Sequence, residues 1–106
     1  MAPPKVLRLA MNDASLKRKI AEISADSSKV VITTHAKERM RKRRVLITQV
    51  LHVLRRGQVV EPAHLDIHGC WKCTLESLIS GDRIKVAAAV DKNERGELVV
   101  VITVIA

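Results

Sequence analysis

The sequence predicts an α+β domain, with N-terminal helices packed on one face of an antiparallel β-meander of about four strands. Two observations carry this expectation. Up to Gly57 the apolar residues recur every three or four positions, and beyond it they alternate with polar ones. The final run, Leu98–Ile105, is apolar on both faces, as suits a strand in the middle of a sheet. The 106 residues are one domain's worth of chain, 1–106, with no internal repeat or low-complexity tract.

Residues 1–11 carry two prolines and read as a loosely ordered start. Asp13 is placed to cap a helix whose Leu16, Ile20 and Ile23 fall on one side, ending near Ser27-Ser28. Val30–Ile32 is β-branched but too brief for more than a strand fragment. Thr33-Thr34 offers an N-cap for a helix over His35–Arg44. Ile47, Val50, Leu51 and Leu54 mark a third helix, with Arg55-Arg56 at its negative end and Gly57 suited to the C′ position.

Gln58–Glu61 then reads as a strand closed by Pro62. In the next strand Trp71, Cys73, Leu75 and Ile79 should face inward, alternating with Lys72, Thr74 and Glu76. Gly81-Asp82 signals a tight turn, and Ile84–Val90 and Leu98–Ile105 complete the meander.

Composition narrows the function. With one aromatic residue, Trp71, and no Phe or Tyr, the chain cannot build a sheet or groove that stacks bases on rings. Nineteen Lys and Arg against eleven Asp and Glu give a net charge of +8. Such a domain meets phosphates, an acidic partner protein or an anionic membrane surface. Two cysteines are too few for a disulfide scaffold, no secretory signal is visible, and the longest apolar stretch has nine residues. A membrane helix needs roughly 20, so a cytoplasmic protein that does not enter the membrane is expected. The oligomeric state is left open.

The most informative segment runs from Lys29 to Arg56, where nine of the cations stand against one acid, Glu38. On a helix His35, Arg39 and Arg43 form one narrow stripe, with Lys42 beside it and Ala36 and Met40 next to it toward the core. Arginine forks in such a stripe can clamp phosphates, and a histidine in a first turn among cations suits a general base. Lys72 and Arg83 are the next candidates for phosphate contacts. The Arg41–Arg44 run reads equally as a solvated face.

His35-Ala36-x-x-Arg39-Met40-x-x-Arg43, Val45, Val53-Leu54-x-x-Gly57, Val59-Val60-Glu61 and Val100–Val104 together resemble the DUF4258 family. This is a small bacterial domain of unknown function, and the resemblance covers roughly residues 30–106. The family is similar in arrangement to RelE- and BrnT-type toxins, ribonucleases of toxin–antitoxin pairs. The resemblance therefore implies a RelE-like fold, RNA as substrate, an acidic antitoxin-like partner, and His35, Arg39 and Arg43 as the functional residues. This chain departs from the pattern at Leu46, where a Ser or Thr cap is expected, and in lacking a tyrosine near the C-terminus.

The expected chemistry is metal-independent: His35 and Arg39 catalytic, with Arg43, Lys42, Lys72 and Arg83 on the phosphates. The alternative is a basic module that binds a nucleic-acid backbone or an acidic partner without chemistry. Cys70-x-x-Cys73, with His64 and His68 upstream, has the look of a zinc site. Strand alternation sends the two thiols to opposite faces, however, so no metal is expected. Asp66, Glu76 and Asp82 do not pair at any recognisable spacing, and no phosphate-binding glycine loop is present, so no cofactor is expected.

Overall fold

The computed structural model describes residues 12–106. Its elements are α1 (Asp13–Ser24), a 3₁₀ turn (Ser27–Lys29), β1 (Val30–Ile32), α2 (Thr34–Arg43), α3 (Ile47–Arg56), β2 (Gln58–Leu65), β3 (Trp71–Ile79), β4 (Asp82–Asn93) and β5 (Gly96–Ile105). The expected loose start at residues 1–11 lies outside the described residues. Among the described residues no helix is long and apolar enough to cross a membrane.

The sheet has five strands in the order β1-β5-β4-β3-β2. It is mixed, which corrects the expected four-stranded antiparallel meander. β2 to β5 do pair antiparallel in sequence order, but Val30–Ile32 is a true strand, running parallel to β5 with Val30 opposite Val99 and Ile32 opposite Val101. Three residues cannot display a period of two, so only the pairing reveals β1. β5 is interior, flanked by β1 and β4, as its two-sided apolarity implied.

The helices cover one face. Leu16, Ile20, Ala36, Val50, Val53 and Leu54 bury against Cys73, Leu75, Val86, Ala88, Val99 and Val101 in one core. The other face, carrying Lys72, Ala87, Ala89, Val100 and Thr103, has no helix over it among the described residues.

Local chemistry sets the boundaries. Asn12, not Asp13, caps α1 by accepting the Ser15 N–H at 2.8 Å. This frees the Asp13 carboxylate to accept the Ala63 N–H at 2.7 Å and tie α1 to β2. α1 ends at Ser24 rather than near Ser28, because Asp26 caps a separate turn through the Ser28 N–H. β2 does not stop at Pro62 but continues to Leu65. It is an edge strand with register shifts on both sides of Glu61, where a missing N–H leaves no ladder bond unmade. The β3–β4 turn is Ser80-Gly81, both at positive φ (51° and 85°), one residue earlier than Gly81-Asp82. Gly57 follows α3 as expected, yet its backbone is extended, with φ −71°. Space dictates this glycine, since a Cβ there would stand 2.5 Å from the Val53 carbonyl oxygen.

Candidate functional site

α2 is anchored at its first turn by one hydroxyl. Thr33 Oγ1 accepts the Ala36 N–H at 3.1 Å and donates to the Ile102 carbonyl oxygen at 3.2 Å. The helix start is thereby fixed to β5 where that strand is irregular, between the Ala87–Thr103 and Ala88–Val101 pairs. Ala36 is fully buried and Met40 half-buried, so the helix turns one side inward and leaves His35, Arg39, Lys42 and Arg43 exposed. His35 Nε2 lies 3.2 Å from Thr103 Oγ1. Thr103 alternates with the buried Val104 and so faces away from the core. The stripe therefore borders the open sheet face at its His35 end.

The cations of α2 are not neutralised. Among the described residues Arg39, Arg41, Lys42, Arg43 and Arg44 have no carboxylate within ion-pair distance. Three of them, Arg41, Lys42 and Arg43, occupy the last turn, where the helix dipole favours positive charge. That accounts for tolerance of the run, since like charges at i, i+4 such as Arg39 and Arg43 oppose folding.

Lys42, Arg43 and Arg83 come together in one hollow of about 390 Å³, with Arg44 and Asp82 also on its lining. Arg83 is reached from β4, and its Nη1 stands 3.1 Å from Glu76 Oε1. Lys72 is not brought to this hollow. It lines a separate cleft of about 760 Å³ on the open sheet face, floored by Ala89, Val100 and Ile102 and rimmed by His68 and Asp91. Ile102 is next to Thr103, so this cleft adjoins the His35 end of α2 while the 390 Å³ hollow lies at its far end.

The family model for a domain of unknown function, DUF4258, matches residues 32–106. The chain belongs to the DUF4258 family. No curated protein and no solved structure matches it. The DUF4258 match takes in α2, α3 and the four-stranded meander, hence every candidate residue, and leaves α1 outside.

Two site residues of this DUF4258 domain escaped sequence reasoning. Thr103 is a lone hydroxyl in the otherwise apolar run Leu98–Ile105, a signal that was legible. Arg44 was visible only as one more cation of a run, because its left-handed backbone (φ 56°, ψ 41°) is what ends α2 and turns it into the hollow.

The cysteines diverge. Cys73 is buried in the core, where desolvation and then the Asp13 charge push its thiol up to about 11. Cys70 lines the open-face cleft, and there burial, with the charges of Asp91 and Asp66, also raises its thiol. Asp66 organises the β2–β3 loop by accepting the Cys70 and His68 N–H groups at 2.9 and 2.8 Å. The Cys70 N–H bond is the main cause that holds its carboxyl below the usual range.

Proposed function

We propose that this domain binds RNA along α2 and the adjoining rim of the open sheet face, and cleaves it without a metal ion. The observation that carries the reading is the run of unneutralised cations on α2, at whose first turn His35 is held by Thr103. When Nε2–H is donated to Thr103, Nδ1 keeps a lone pair for the proton of a ribose 2′-hydroxyl. The 2′-oxygen then attacks its neighbouring phosphate, the bond to the 5′-oxygen breaks, and that oxygen takes a proton from water. Arg39 stabilises the charge that builds on the phosphate oxygens. Arg43, Lys42, Lys72 and Arg83 hold flanking phosphates. The similarity in arrangement between the DUF4258 family and RelE- and BrnT-type toxins supports the same reading, including an acidic antitoxin-like protein that covers the basic surface.

A non-catalytic module is the second reading. It is favoured by the single side-chain partner of His35 among the described residues, a hydroxyl rather than a carboxylate. Cleavage of a panel of RNAs in EDTA separates the two. For a catalyst, His35→Gln slows cleavage by about 100-fold or more while RNA affinity survives. Intact RNA in every reaction, with binding lost on Arg39→Ala, selects the module.

A further inference from the structure

We propose that the hollow at the C-terminal end of α2 binds the terminal phosphate of an RNA strand, the phosphomonoester rather than an internal diester. The inference rests on the RNA-binding reading and names the ligand of one part of that surface. Consecutive cations on a helix point in different directions, about 100° apart. Lys42, Arg43 and Arg44 nevertheless line one cavity, because α2 ends there and Arg44 takes the left-handed turn. The β3–β4 hairpin adds a fourth cation, Arg83, which Glu76 holds in place at 3.1 Å.

Four like charges around about 390 Å³ repel one another, and one carboxylate, Asp82, faces them on the lining. With Glu76 on Arg83 and Asp82 on the lining, two positive charges remain unbalanced, so an anion is the group that relieves them. A terminal phosphate offers up to two charges and three free oxygens to these donors, while an internal diester offers one charge and two. The wall residues Val45 and Gln49 bracket the first turn of α3, whose cap residue Leu46 offers the helix N–H groups its carbonyl oxygen but no side-chain oxygen. The positive end of that helix adds to the same field. No aromatic ring lines the hollow. Arg43 lies eight residues beyond His35, about 12 Å along the helix axis, so the strand end sits well clear of the proposed base.

The test measures binding of one short single-stranded RNA to the full chain, with a 5′-phosphate, a 3′-phosphate or hydroxyls at both ends. A phosphorylated end should tighten binding about tenfold at physiological salt, one charge-assisted contact set's worth. Millimolar inorganic phosphate should erase that advantage without releasing the hydroxyl-ended strand. Arg44→Asn, which keeps a side chain tolerant of the left-handed backbone, should abolish the advantage. Arg41→Gln removes the same charge outside the lining and should preserve it. Equal affinity for all three RNAs overturns the inference and leaves RNA binding standing, as does equal loss in the two variants. Failure of every RNA to bind overturns the broader reading along with it.

Discussion

Arg44 sits in a backbone region that costs an L-residue about 1–2 kcal/mol and glycine almost nothing. Glycine also gives the unfolded chain extra freedom, worth about 0.4–1 kcal/mol. Arg44→Gly should therefore stabilise the domain by about 0.5 kcal/mol, seen as a rise of a few degrees in Tm. The same variant should lose the preference for a phosphorylated strand end. Cys73 gives a pH-dependent counterpart. Its thiol is raised by burial, so the folded state keeps the proton that the unfolded chain releases above about pH 9. Stability is complete below that pH and declines as pH climbs toward 11. Cys73→Ala should cost about 1–2 kcal/mol at pH 7, and urea unfolding should show that deficit shrinking above pH 9. At this scale the sequence was legible where a side chain acts on its own neighbours. Thr33 caps as its type suggests, and Cys73 alternates inward. It was misleading at Gly57, whose identity answers to the Val53 carbonyl and not to a left-handed backbone.

Elements hold one another through single polar contacts that no local pattern displays. Arg55 looked like a charge at the end of α3, but its Nε donates to the Ser24 carbonyl oxygen at 2.9 Å. It closes the C-terminus of α1, a neighbour in space and not in sequence. Arg55→Met should lower unfolding free energy by about 1 kcal/mol in chemical denaturation and leave RNA affinity within about twofold. A large fall in affinity would place Arg55 on the binding surface instead. α1 and α3 were readable from their apolar spacing and α2 from its threonine cap, though in α3 the buried set is Val50, Val53 and Leu54 while Ile47 remains exposed. β1 and the second half of β2 were not readable. One is shorter than its own period, and the other crosses a proline that only an edge position tolerates.

Over the whole molecule the layers were legible, helices on one face and an interior last strand, because burial writes itself into the apolar pattern. The convergence of Arg83 with α2, and the separation of Lys72 from both, depend on where hairpins end and were beyond any spacing argument. The cationic surface sets a solution property. If Arg39, Lys42, Arg43, Lys72 and Arg83 each meet a phosphate, the logarithm of RNA affinity should fall with the logarithm of salt at a slope of about −3.5. A slope near zero would show that the charges do not meet the backbone.

The parallel pairing of β1 with β5 also dictates an order of events during synthesis. Each hairpin of the meander can close as soon as it is made, whereas Val30 must wait for Val99 and Thr33 for Ile102. α2 leaves the ribosome early, yet the strand that docks it arrives last. His35 meets Thr103 only after residue 103 has been translated, so a nascent chain carries its basic helix unmoored. If the domain cuts RNA as proposed, its His35–Thr103 contact, and any activity that needs it, would await translation of the final described strand.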